Sequence, residues 1–237
     1  MICPNCNETE HEPGAKFCHM CGYRFQNSNN FGRVKEIAKP LSKEWRVIEA
    51  IAIDLGLPSG TKWAPCNVGA TEIYECGGYY AWGETSQKDV YDWNSYIHCD
   101  GSDNSCHNLG SNICLSKFDV AHIKWGGKWQ MPAYEQFKEL VDFCTYEWTN
   151  LYGIPGGKFT GPNGKSIFFP AAGLRYNSSF GCRENDGRYW SGTIGRDFPE
   201  TACALNFNSD GADCSSGWGG IWSNRYLGQS VRPVLNP

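Results

Sequence analysis

MPAYEQFKELVDFC, residues 131–144, carries the clearest helical period in this chain. Phe137, Leu140, Val141 and Cys144 fall at i, i+3, i+4 and i+7, with Glu135, Lys138, Glu139 and Asp142 outside that stripe. Such a stripe buries one helix face on a core. Pro132 stands where a helix start tolerates its missing N–H. A shorter helix is predicted over Ser116–Lys124, and the rest of the pattern is β. WRVIEAIAIDLGL (45–57) alternates Ile51, Ile53 and Leu55 against Ala50, Ala52 and Asp54, and PSG (58–60) ends it. KFTGPNGKSIFF (158–169) predicts a hairpin turning at Pro162-Asn163-Gly164, and ALNFN (204–208) and SVRPVL (230–235) predict further strands. Few helices among many short strands and long loops predict an α+β domain over residues 45–237.

The 237 residues suffice for one large domain and a small module. Apolar residues make up 41%, so a core can form, and 10 Trp, 12 Tyr and 12 Phe make it aromatic. Twenty-one basic and 25 acidic residues leave a net charge of −4, which offers no electrostatic footprint for nucleic acid. The longest apolar-leaning run is broken by Glu49 and Asp54 and is too short to span a membrane. MICPNCNETE shows neither a basic leader nor an apolar run, so a cytoplasmic location is expected. The 13 cysteines are an odd number; in a reducing compartment the scattered ones act as small buried hydrophobes.

CPNCNETEHEPGAKFCHMCG (3–22) places two Cys-x-x-Cys pairs eleven residues apart. Cys3, Cys6, Cys18 and Cys21 make a closed tetrahedral thiolate set for one structural Zn²⁺, with no open position for a substrate. Residues 1–25 are therefore expected to be a zinc ribbon whose folding energy comes from the metal. Its balanced charge makes it a poor phosphate-binding surface and a better stabilising or interaction module. The polar stretch that follows, QNSNNFGRVKEIAKP (26–40), begins a linker placed at 26–44.

Six segments occur in a recognisable order: DLGLPSGTKWAPCNVGA (54–70), GGYYAWGE (77–84), WGGKWQMPAYEQFKEL (125–140), TGPNGKSIFFPAAGLR (160–175), RYWSG (188–192) and GQSVRPV (228–234). Together they resemble a family of bacterial C-type-lectin-fold proteins. That family includes the Fibrobacter succinogenes major paralogous domain and the variable proteins of diversity-generating retroelements. It is more distantly similar to the formylglycine-generating enzymes. The resemblance implies a C-type-lectin-like domain displaying a variable surface, about 175–228, to an unknown macromolecular or surface ligand.

In diversified members of that family, Asn codons of the AAC type become codons ending in C, which exclude Trp, Glu, Lys, Gln and Met. By that rule Trp190, Glu200, Trp218, Trp222 and Gln229 belong to the scaffold. Tyr176, Phe180, Cys182, Arg183, Ile194, Arg196, Phe198, Ile221, Tyr226 and Leu227 are the expected contacts, and Cys203 and Cys214 are also compatible with such codons. Aromatic and Arg side chains offer large contact area at low entropic cost. Arg232 is expected to be paired inside the fold.

Two other readings compete: a structural or adhesin-like surface component, and a formylglycine-generating-type oxidoreductase using Cys203 and Cys214. The second lacks an imidazole in the C-terminal half, because all five histidines lie at or before residue 122. The loop HCDGSDNSCH (98–107) offers His98, Cys99, Cys106 and His107 to a second metal, but at irregular spacing; a solvated loop is the favoured reading.

Overall fold

The computed structural model describes residues 52–196, 198–214 and 222–237, without the side chains of Trp222 and Ser223. The expected zinc ribbon, the linker, Ile221 and Trp218 lie outside the described residues. Within them the architecture is α+β: small antiparallel sheets, two α-helices and long loops. No helix among the described residues is long and apolar enough to cross a membrane.

The first sheet joins the two ends of the domain. Strand β1 (Ile53–Asp54) pairs with β2 (Lys62–Trp63), which pairs in turn with β12 (Val234–Leu235), Trp63 opposite Val234. Leu55 is buried as its alternation with Ile53 predicts, and a turn at Pro58–Ser59 ends the run, closed by Gly60 N–H donating to Leu57 O at 2.9 Å. SVRPVL forms a strand only over its last two residues. Pro233 supplies no N–H to a ladder, and its carbonyl accepts from Ala64 N at 2.9 Å.

Helix α1 (Val120–Trp125) is shorter than the predicted Ser116–Lys124. Its start is set by buried Asp119, whose carboxylate accepts the backbone N–H groups of His122, Leu115 and Met131 at 2.9–3.1 Å. Helix α2 (Tyr134–Phe143) occurs where the period places it, with Phe137 and Leu140 fully buried and Val141 half-buried. Ala133 cannot cap with its own side chain. Gln136 Oε1 instead accepts from Ala133 N at 2.8 Å, and Thr193 Oγ1 from Tyr134 N at 3.0 Å.

The predicted hairpin is present as β4 (Ile154–Thr160) and β5 (Ser166–Pro170), turning at Pro162-Asn163-Gly164, and β3 (Thr145–Leu151) pairs with β4. The third sheet centres on β9 (Thr201–Asn208). Strand β8 (Gly187–Ile194) lies along it, and β10 (Gly211–Asp213) and β11 (Trp222–Asn224) also pair with it. Strands β6 (Leu174–Tyr176) and β7 (Ser179–Gly181) form a separate hairpin.

The main core is aromatic. Phe169 meets Tyr189 edge-on at 5.1 Å and Phe159 at 5.4 Å between ring centroids, Tyr189 stacks on Phe207 at 5.9 Å, and Trp63 packs on Phe137 at 5.6 Å. A second core gathers Val68, Tyr80, Trp82, Ile113, Met131, Trp190 and Val231. Two indoles brace it: Trp190 Nε1 donates to Tyr80 O at 2.8 Å and Trp82 Nε1 to Ser191 O at 2.9 Å.

Candidate ligand-contact surface

The β6–β7 hairpin carries the first group of expected contacts. Its turn passes through Asn177 at φ 48°, a left-handed conformation that Asn tolerates. Two neighbours clamp the hairpin. Arg175 exchanges both backbone hydrogen bonds with Gly228 (2.7 and 2.9 Å), and Asn177 exchanges both with Tyr91 (2.8 and 2.9 Å). The segment holding Tyr226 and Leu227 is therefore stitched to the segment holding Tyr176 and Phe180.

The same segment reaches the third group on its other side. Asn224 pairs with Thr201, and Arg225 N donates to Glu200 O at 2.9 Å. The loop before β9 is closed by Gly195 N donating to Thr201 O and Thr201 N to Phe198 O, both at 2.9 Å. Backbone hydrogen bonds thus link 174–181, 224–228 and 194–201 in one series, although the first and last are separated by strand β8 in sequence.

Arg225 holds this series from beneath. It is fully buried, with Nε donating to Tyr96 Oη at 2.8 Å and Nη1 donating to His107 O and Pro199 O, each at 3.0 Å. Its guanidinium also lies over the Trp82 ring, 4.8 Å from the centroid. Nearby, buried Glu84 accepts from Lys88 Nζ at 2.8 Å and from Ile97 N at 3.0 Å, securing the loop that carries Trp93 and Tyr96. Burial pushes the Tyr96 hydroxyl far above the ordinary range, against the opposing pull of Arg225, so it stays a neutral donor, here to Trp82 O at 2.7 Å. His98, whose Nε2 lies 3.0 Å from Gly83 O, is held below its usual value chiefly by burial.

Of the expected contacts, Tyr176, Phe180, Cys182, Arg196 and Phe198 are exposed. Phe180 lies between two guanidinium groups, Arg175 at 4.8 Å and Arg183 at 5.1 Å from its centroid, and meets Tyr79 edge-on at 5.3 Å. Arg183, Tyr226, Ile194 and Leu227 are half-buried. Tyr226 sits edge-on to Trp93 at 4.6 Å, while Ile194 and Leu227 pack against the second core. These last residues serve as anchors as well as surface. Ile221 lies outside the described residues.

The expected scaffold residues separate from this set only in part: Glu200 is as half-buried as Arg183 and Tyr226, and the codon-compatible Cys203 and Cys214 are buried. Trp190 and Gln229 are fully buried and Glu200 is half-buried. Arg232 is paired inside, as expected: Nε donates to Asn67 Oδ1 at 2.7 Å, Nη1 to Ala64 O and Pro65 O, and Nη2 to Phe168 O, with the Phe169 ring 4.5 Å away. Arg175, Arg225, Tyr91 and Trp93 belong to the surface or its support and were not singled out as contacts in sequence. Their partners lie far away along the chain, 129 residues for Arg225 and Tyr96, so no local pattern marks them.

Cys203 and Cys214 are buried, and burial pushes each thiol up to about 12. In the loop 98–107, His98 bonds to Gly83 O, His107 to Asp100, and the Cys99 thiol to Trp93 O at 3.1 Å. No group of three or more His, Cys, Asp or Glu able to hold a metal occurs among the described residues. Comparison with protein-family models, curated proteins and solved structures returned no match to this chain.

Proposed function

We propose that this chain is a ligand-binding display protein of the C-type-lectin-like kind, diversified through its C-terminal segment. The observation that carries the reading is the linked series of loops in which Tyr176, Phe180, Arg196 and Phe198 stand exposed over a buried support of Arg225, Trp82 and Trp190. A surface held by backbone bonds and buried anchors keeps its shape when its outer side chains change. Binding then needs little ordering, and side-chain identity alone can retune affinity. The target is an unidentified macromolecule or surface component.

The reading assigns no catalytic step. A thiol held at about 12 is protonated at neutral pH, which leaves Cys203 and Cys214 poor nucleophiles for formylglycine-generating chemistry. The N-terminal Cys3, Cys6, Cys18 and Cys21 are proposed to hold one structural zinc, on the strength of their spacing alone.

DNA flanking the coding region tests the diversified reading. A neighbouring reverse transcriptase and a near-identical repeat of the tail are expected. Differences between copies should fall on Tyr176, Phe180, Arg196 and Phe198 and spare Trp190 and Gln229. In the protein, changing those four residues together to Ser should leave the unfolding free energy, measured by urea titration, within about 2 kcal/mol of the parent, since surface changes cost about 0.5 kcal/mol or less each. Cooperative unfolding lost in that variant would place these residues in the core and sink the display reading.

A further inference from the structure

The loop that begins at Cys99 returns to meet itself at Cys106. These two residues form an isolated antiparallel bridge. The adjoining bond, His107 N to His98 O at 2.8 Å, flanks the pair instead of joining it, so Cys99 and Cys106 face each other at a non-hydrogen-bonded position. At such positions the Cα atoms are about 4.5 Å apart and both side chains leave the same face. That spacing lies within the range of about 4.4–6.8 Å that a disulfide spans. Both side chains also pack against the same aromatic core.

The intervening residues hold the two ends in place without a covalent link. Ser105 Oγ accepts from Asp100 N at 2.9 Å and from Ser102 N at 3.2 Å, and Gly101 takes φ 85° to make the bend. Both cysteines are free thiols, Cys99 buried and Cys106 half-exposed. We propose that Cys99 and Cys106 are a reversible redox clasp, closing into an intrachain disulfide in the presence of a low-molecular-weight disulfide such as oxidised glutathione.

The more accessible Cys106 reacts first. Its thiolate attacks one sulfur of the small disulfide, forms a mixed disulfide and releases one equivalent of small thiol. Cys99, losing its proton, then attacks the Cys106 sulfur and expels the second equivalent. The two protein thiols are oxidised by two electrons, the small disulfide is reduced to two thiols, and the protons end on those thiols. The clasp adjoins the contact surface: His107 O, next to Cys106, accepts from Arg225, and Trp93 O, which accepts from Cys99, belongs to the residue packed on Tyr226. Closure therefore tethers the loop that supports Tyr226. The clasp stands independently of what the surface binds.

A tryptic peptide, residues 89–117, contains Cys99, Cys106 and Cys114, which makes the test direct. The full chain is incubated with oxidised glutathione, denatured, alkylated with N-ethylmaleimide and digested. The peptide is expected to carry one maleimide, on Cys114, and to be lighter by two hydrogens. Cleavage at Asp100 or Asp103 should leave its two parts joined until a reductant is added. Cys114→Ser should form the same link, and Cys99→Ser should instead accumulate a glutathione adduct on Cys106. Three maleimides on the parent peptide, a stable glutathione adduct on Cys106 beside an alkylated Cys99, or a link that disappears in Cys114→Ser would each overturn the clasp.

Discussion

Arg225 and Arg196 are both arginines of the C-terminal segment, yet the first is fully buried and the second exposed. The donors of Arg225 noted above reach the buried Tyr96 hydroxyl and the carbonyls of His107 and Pro199, tying three separate loops to one buried charge. Hydrogen bonds to a charged group contribute about 1.5–3 kcal/mol each. Arg225→Ala is therefore expected to lower unfolding free energy by about 3 kcal/mol or more, measured by urea titration. Arg196→Ala should stay within about 0.5 kcal/mol of the parent. Equal costs at the two sites would mean that Arg225 does not support the surface. Nothing in RYL, residues 225–227, distinguishes a supporting arginine from a contacting one; only long-range partners do.

Among elements, legibility followed periodicity. Helix α2 and the β4–β5 hairpin were readable because their signals are local: a stripe at helical spacing, and a Pro-Asn-Gly turn between apolar runs. SVRPVL is a strand only at its end, since Ser230 bridges Tyr189 while Val234 pairs with Trp63, and Pro233 between them interrupts the ladder. Strand β8 depends on a close approach that the sequence shows only as a glycine. A Cβ on Gly187 would fall 1.9 Å from Phe207 Cζ, on the neighbouring strand. Gly164, in the hairpin turn, has φ 81° and open space around it. Gly187→Ala should therefore cost about 3 kcal/mol, the upper end of overpacking, and Gly187→Asn should cost more. Gly164→Ala should cost about 1–2 kcal/mol through its backbone alone, and Gly164→Asn should recover most of that. Thermal unfolding of the four variants separates the two causes. A Gly187→Asn protein as stable as Gly164→Asn would contradict the packing account.

At the scale of the whole molecule, the N-terminal thiolates and the domain that follows are expected to owe their stability to different sources. Metal supplies it to a segment with little core, and aromatic burial supplies it to residues 52–237. Protein purified without added metal should contain about one zinc per chain by elemental analysis. Cys18→Ser should lose that zinc while the main unfolding transition keeps its midpoint. Zinc retained after replacement of all four cysteines by Ser would remove the assignment.

The sequence alone was sufficient for the α+β class, for α2 and for the hairpin turning at Pro162–Gly164, because neighbours a few residues apart carry those signals. Trp190, Gln229 and Arg232, each expected inside the fold, are fully buried. Tertiary structure decided the rest. Tyr176 and Phe198 belong to one linked series of loops because Arg175 pairs with Gly228 and Asn224 with Thr201, contacts that no spacing reveals. Cys99 and Cys106 face each other because the chain between them folds back with one particular register. Local order is written in residue periodicity, whereas adjacency between distant segments depends on which side chains fill the shared core, and that is settled only when the whole domain packs.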